Sequence, residues 1–318
     1  MSEAGTQRPL AVLCLNPAVD VTYEIPRLIP DQKVHADASR YDPGGNGINV
    51  GRSLRRLGVQ ACTFCVVAGE IGRLLRQQLD AQLDETSYLE VQGETRVNCT
   101  VLESVTGAQF EVSGIGPALA PAQWTGLLDR FVAHCTGGLG VITGTLQPGL
   151  PVDLYAEAVH ALREAGARAV VDASGELLRH AIDAQPFLVK PNRFELENLL
   201  GRSLADERAV IAGARQLQER GVSQVCVSLG AAGALLVTPS GVLKAEAPAV
   251  PVNSTVGAGD SLVAAMSGLL ARGASDREAL REGVACSAGT VMQPGTELFD
   301  AKAVDRLRAA VRVTTVTL

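Results

Sequence analysis

Residues 253–262, "NSTVGAGDSL", set Gly257-Ala258-Gly259 directly before the carboxylate of Asp260 and then run into the apolar "SLVAAMSGLL" of 261–270. Two glycines permit positive φ and a close approach of the backbone to a ligand. The helical spacing of the apolar residues after Asp260 predicts a helix N-terminus at the end of the loop. There, unpaired N–H groups and the positive end of the helix dipole favour an anion, phosphate above all. Taken alone, Asp260 also suits the first turn of any helix. Two other glycine motifs fail here. A dinucleotide fingerprint needs glycine at 262, where Leu262 stands, and a phosphate-binding loop of the Walker type needs a Gly-Lys pair, which the chain lacks. The design left is a set of N–H groups for a transferring phosphoryl group, with an adjacent aspartate as base for the accepting hydroxyl.

Outward from this loop, short apolar runs alternate with helical patterns. "LAVLCLN" reads as an opening strand, "NGINVGRSLRRLGV" as an amphipathic helix ending at Gly58, and "ACTFCVVAG" as the next strand. "LGVITGTL", "ARAVVDAS", "PFLVKPN" and "QVCVSLG" continue the series as strands, with helices between them. Repeated switching between periods of 2 and 3.6 predicts βα units and a mostly parallel central sheet covered by helices. Asn16, Gly69, Gly144, Asp172, Asn192 and Gly230 fall at strand ends, and ligands of such sheets sit beyond the strands' carboxyl ends. Segments 21–43 and 95–114 break the rhythm. The first carries three prolines and no helical stripe, the second alternates like a hairpin, and together they could form a small separate sheet serving as a flap or an edge extension.

The 318 residues carry a net charge of −6 and no Lys/Arg run, which argues against a nucleic-acid partner. No stretch approaches the apolar length of a membrane span, and "MSEAGTQRPL" lacks the pattern of a leader. Seven scattered cysteines suit reduced thiols, and so the cytoplasm, better than a disulfide framework. Cys62 and Cys65 have CxxC spacing inside a strand-like run and are read as core thiols rather than a redox or metal pair. His35, His134, His160 and His180 show no ligand spacing with one another or with the cysteines.

"STVGAGD" resembles the C-terminal signature of the PfkB, or ribokinase-like, carbohydrate kinases. "YDPGGNGINVGRSLRRLG" (41–58) resembles the family's N-terminal signature, and "VITGTLQPG", "LVKPNRFEL" and "VSLGAAGAL" follow in the expected order. The matches run from about residue 11 to 300 and look most like the phosphofructokinase and tagatose-6-phosphate kinase branch. The resemblance implies one three-layer α/β kinase domain over 1–318, with a small β-sheet lid from about 21–43 and 95–114. It implies ATP-dependent phosphorylation of a ketohexose monophosphate, with Mg²⁺ as cofactor and K⁺ as a further candidate near Ser254, Val256 and 289–297. A homodimer formed through the lid follows from the same likeness. The alternatives are a kinase of an unphosphorylated sugar or nucleoside, and a non-catalytic sugar-phosphate sensor.

Carried over by resemblance, Asp260 is the base and Gly257, Ala258 and Gly259 the anion hole. Lys190, Asn192, Ser228, Gly230, Ser254 and Thr255 fall on the nucleotide side, with Glu195 reaching Mg²⁺ through water. Asp20, Gly44, Gly45, Asn49 and Thr145 fall on the sugar side, and Lys33 and Arg96 match positions that contact the acceptor's own phosphate. The chain departs from the family where Asn46 replaces a usual Gly or Lys, where Thr143 and Thr145 replace serines, and where Gln147 replaces a proline.

Overall fold

The computed structural model describes residues 7–147 and 149–317; the reading of the first ten residues as carrying no leader therefore lies largely outside the described residues. The chain opens with β1 (Leu10–Cys14), passes into β2 (Ala18–Ile25) and β3 (Ala38–Gly44), and enters α1 (Asn46–Arg56). It continues through β4 (Cys62–Ala68), α2 (Gly69–Gln82), β5 (Glu85–Val91), β6 (Arg96–Glu103), β7 (Gln109–Val112) and α3 (Pro121–Cys135). β8 (Leu139–Thr143), α4 (Leu154–Glu164), β9 (Arg168–Asp172), α5 (Gly175–Asp183), β10 (Leu188–Val189), α6 (Arg193–Leu200), α7 (Glu207–Glu219) and β11 (Gln224–Ser228) follow. The last part holds β12 (Ala234–Thr238), β13 (Gly241–Glu246), α8 (Ala258–Ala271), α9 (Asp276–Val291), α10 (Ala301–Ala310) and β14 (Arg312–Val316).

The main sheet has ten strands in the order β14-β13-β12-β11-β10-β9-β8-β1-β4-β5. From β5 to β11 every neighbour is parallel, while β12, β13 and β14 are added antiparallel. Parallel strands covered on both faces read as continuous apolar runs, and β1, β4 and β8 are buried along their whole length. One face packs against α3 to α7 through residues such as Phe131, Tyr155, Ile182, Leu196 and Leu217. The other packs against α1 and α8 to α10 through Leu54, Met266, Val284 and Val304. The chain leaves β1 toward β4 and β5 on one side and later returns to β8 on the other. The crevice at such a reversal, beyond the carboxyl ends of β1 and β8, is where a ligand fits.

The segments that break the βα rhythm form their own sheet, in the order β3-β2-β6-β7. It begins at Ala18 and its strands end at Val112, so β2 starts three residues before the expected segment. Asp20 consequently lies inside a lid strand. Val19 and Val21 pack the lid's root onto Ile48, Leu75 and Leu79. Cys62 and Cys65 are both buried, but on opposite faces of β4: Cys62 joins the core under α3, and Cys65 the core under the lid. Alternation along a strand forbids a CxxC pair in that setting. Among the described residues, no helix is long and apolar enough to cross a membrane.

Candidate active site

Two glycine-opened helices converge on one carboxylate. Gly257, the residue before α8, holds φ 76°, and Gly45, before α1, holds φ 106°. Both are left-handed values that a side chain would oppose. On α1, Asn46 and Asn49 are three residues apart and therefore share a face. Asn46 Nδ2 donates to Asp260 Oδ1 and Asn49 Nδ2 to Asp260 Oδ2, each at 2.9 Å. Asp260 is only 4% exposed, while Ala258 and Gly259 just before it line an open cavity. The carboxylate thus sits behind the mouth of the loop, fixed by two amides.

Beneath the loop, Lys190 Nζ lies 3.1 Å from Asp172 Oδ1, and both side chains are nearly buried. A Cβ built on Gly259 would meet Lys190 Nζ at 3.4 Å, so the ammonium lies directly under the glycine loop. Burial, and next the Asp172 carboxylate, push Asp260 up to about 6; the Asn49 and Asn46 amides and Lys190 oppose this. Burial works against the charge of Lys190, but Asp172 and Glu195 outweigh it and hold the ammonium above the usual lysine value. Asp172, at the end of β9, carries no motif that marks it as this partner.

On the lid side, Asp20 accepts from Asn98 Nδ2 at 2.7 Å. Burial raises Asp20 above the ordinary aspartate value, against the pull of Asn98 and Arg96. A Cβ on Gly44 would fall 2.1 Å from Asp20 Oδ2, which is the physical reason for glycine there. Arg96 donates through Nε and Nη2 to the Asn16 carbonyl at 3.1 and 2.8 Å, and Asn16 Nδ2 donates to Thr145 Oγ1 at 3.2 Å. Burial lowers Arg96 below its usual value. Lys33 stands apart, exposed in the loop between β2 and β3. Asp42 ties the lid to the 292–297 loop: it accepts from Arg40 Nε at 2.6 Å and from Thr296 Oγ1 at 3.1 Å. Asn98 and Asn16 complete the cluster around Asp20, Arg96 and Thr145. In the sequence Asn98 carries no mark, and Asn16 carries only its place at a strand end.

Of the residues expected on the nucleotide side, Ser228, Gly230 and Thr255 line a cavity of about 630 Å³ together with Ala258 and Gly259 and an apolar wall that contains Val250 and Val284, whereas Lys190, Asn192 and Ser254 are not part of its lining. Asn192 bridges to Ser228 and caps α6 reciprocally with Glu195: Glu195 N donates to Asn192 Oδ1 at 2.8 Å, and Asn192 N to Glu195 Oε2 at 2.7 Å. This capping box holds one oxygen of Glu195, and the half-buried carboxylate lines a second, neighbouring cavity. Ser254 Oγ donates to the Gly295 carbonyl at 2.7 Å, which joins the glycine loop to the 292–297 loop.

The profile of the pfkB family carbohydrate kinases matches residues 12–302. The chain is 34% identical over 306 residues to a 1-phosphofructokinase of Bacillus subtilis, covering 94% of this chain and 97% of that one. It is 34% identical over 288 residues to the ATP-dependent 6-phosphofructokinase isozyme 2 of Escherichia coli, covering 90% and 93%. Its fold superposes on the crystal structure of phosphofructokinase-2 from E. coli in complex with potassium with a TM-score of 0.91 at 32% identity, over 96% of this chain and 99% of that one.

Proposed function

Because the chain belongs to the pfkB family of carbohydrate kinases, we propose that it transfers the γ-phosphoryl group of ATP to a hydroxyl of a ketohexose monophosphate. The observation that carries this reading is Asp260: a sequestered carboxylate fixed by Asn46 and Asn49, one residue past a glycine loop that lines the large cavity. Asp260 takes the proton from the attacking hydroxyl, because an aspartate poised near 6 is ionised at neutral pH yet basic enough to accept it. The backbone N–H groups at 257–259, at the start of α8, receive the charge on the transferring oxygens. Lys190 adds fixed positive charge beneath them.

Asp20 and Asn98 hold sugar hydroxyls, beside Gly44, Gly45, Asn49 and Thr145. Arg96 and Lys33 hold the acceptor's own phosphate, Lys33 being brought in by the lid loop that carries it. The phosphorylated acceptor is favoured by Arg96, a half-buried guanidinium whose Nε and Nη2 donate to the neutral Asn16 carbonyl and which can pair with a phosphate more strongly than with a carbonyl. The nucleotide lies along Ser228, Gly230, Ser254 and Thr255, with Asn192 at the neighbouring strand end. Glu195 is suited to Mg²⁺ through water, because its cap leaves one carboxylate oxygen unused and Mg²⁺ retains most of its waters. Mg²⁺ supplies charge neutralisation between the phosphates when bound. K⁺ fits the junction of the glycine loop with 289–297, where Asn253 N donates to the Val291 carbonyl at 2.8 Å. A second copy of the chain would cover the apolar lid residues Val105, Val112 and Ile115, which are 72%, 66% and 78% exposed.

A coupled ADP-release assay with fructose 6-phosphate, fructose 1-phosphate and tagatose 6-phosphate tests the reading and selects the sugar. Turnover of none of them, with turnover of a free sugar or nucleoside instead, would transfer the chain to the other branch. Changing Lys33 and Arg96 together to alanine should raise the KM for the sugar phosphate by at least about tenfold, the scale of one lost charged hydrogen bond, and leave the KM for ATP unchanged. An unchanged sugar-phosphate KM removes both residues from the site. The acid limb of kcat should fall as pH drops through about 6, because protonation of Asp260 removes the base. Full activity persisting to pH 4 would show that another group accepts the proton.

A further inference from the structure

We propose that Cys62, Glu85 and His134 form a binding site for one zinc-like divalent cation, on the side of the sheet opposite the candidate active site. Their ligand atoms, one from each residue, lie within 4.8 Å of one another. A tetrahedral zinc site with bonds of 2.0–2.3 Å holds its ligands roughly 3.4–3.8 Å apart. Small side-chain rotations therefore suffice to close the three onto one ion.

The convergence is built by the fold rather than by spacing in the chain. Cys62 and Glu85 are the first residues of β4 and β5 and stand directly opposite each other in the parallel register. Cys62 and Phe64 are two apart, so both face the helix layer, where Phe64 packs edge-on against Phe131 at 5.6 Å and against the His134 ring at 5.9 Å. α3 thus delivers His134 to the end of the Cys62–Glu85 pair, with its ring edge-on to Phe64. The absence of ligand spacing in the sequence stands, because His134 and Cys62 are far apart in the chain; the seating of α3 on β4 is what joins them.

The chemistry of the set selects the ion. One thiolate, one imidazole and one carboxylate suit Zn²⁺ and its borderline-soft neighbours, whereas Mg²⁺ and Ca²⁺ prefer oxygen alone. Glu85 is exposed and His134 half-buried, so the ion has an entry path and room for a water as fourth ligand. Without metal the Cys62 thiol keeps its proton: burial, then the Glu85 carboxylate, raise it to about 12. On binding, the S–H bond breaks, the proton leaves to solvent, and a sulfur–metal bond takes its place. The other groups near the thiol are Arg130 and Cys135 on α3 and Cys65 on β4. Arg130 is turned toward β5, where Nη1 donates to Ser87 Oγ at 3.2 Å. The candidate active site uses the carboxyl ends of the strands, and seven-residue β4 puts this site on the order of 20 Å from them. The ion would therefore be distinct from any that accompanies the nucleotide.

The test is a Co²⁺ and Zn²⁺ titration of the full chain carrying no histidine tag. Wild type should bind one equivalent with a near-ultraviolet thiolate-to-cobalt charge-transfer band, displaced by Zn²⁺ and indifferent to excess Mg²⁺. Cys62→Ser should abolish the band. Glu85→Gln, an exposed change that leaves the metal-free fold and kcat intact, should weaken binding about tenfold or more. His134→Ala should do the same. Zn²⁺ should raise Tm in wild type but not in Cys62→Ser. Absence of the band in folded wild type, or its survival in Cys62→Ser, overturns the proposal, as does unchanged affinity in Glu85→Gln and His134→Ala.

Discussion

Asp260→Asn is expected to lower kcat by roughly 10²–10⁴-fold, the range contributed by a positioned general base. The amide keeps the volume of the carboxylate and can still accept one hydrogen bond from Asn46 or Asn49, but it cannot accept the hydroxyl proton. The helix N-terminus and the cavity lined by Ala258 and Gly259 are untouched, so the affinity for ATP should hold. The fold should hold as well, for a reason that can be read from the sign of the shift. Asp260 titrates near 6 in the folded chain, above its ordinary value of 3.8. Between those values the folded state binds more protons than the unfolded one, so this group's contribution to stability falls as pH rises from about 4 to about 6 and is lowest above that. Near pH 7 the ionised carboxylate is therefore a burden on the fold, and the variant should melt no lower than the parent. A variant with near-native kcat, measured by coupled ADP release, would defeat the assignment of Asp260 as base. A variant that loses turnover only because it unfolds would be recognised by its lowered Tm and would contradict the stated sign.

Lys190→Met is expected to cost roughly 3–5 kcal/mol of stability at pH 7, the range for removing one member of a buried ion pair. The loss is not the value of the attraction. It arises because Asp172 remains buried without its counter-charge, next to Asp260, which is buried too. Two consequences separate this from simple loss of packing. Asp260 loses a cation that pulls its titration downward, so the acid limb of activity should move above 6. Lys190→Met combined with Asp172→Asn should recover much of the lost stability, because the stranded charge is gone. Urea unfolding of the two single variants and the double variant at pH 7 supplies the comparison. If the double variant is as unstable as the sum of the singles, the pair is not coupled and the electrostatic account of the loop's underside fails.

Much of the site stands on residues whose types announce themselves. Gly257, Gly259 and Asp260 are readable because positive φ, close backbone approach and a first-turn carboxylate each leave a residue-type mark. Gly44 and Gly45 are readable for the same reason, and the structure adds that a Cβ on Gly44 would occupy the place of the Asp20 carboxylate. In the sequence Asp172 carries only its place at a strand end, and Asn98 and Asp42 carry no mark at all, since an aspartate or asparagine in such places looks like any other. Their meaning depends on which side chain faces them across the fold. In the sequence Asn46 is only a departure from the family, and its hydrogen bond to Asp260 makes it a positioning group.

The sequence by itself determined the βα rhythm, the parallel core, the two segments that break that rhythm and the glycine-opened helix at Asp260. Each of these rests on local periods and local backbone freedom, which are written residue by residue. The tertiary structure decided that Asp260 lies between Asn46 and Asn49, that Lys190 lies over Asp172, that the sheet closes with three antiparallel strands, and that His134 meets Cys62 and Glu85. These pairings join residues far apart in the chain. The seating of helices on the sheet fixes such long-range contacts, and no short window of sequence contains both partners.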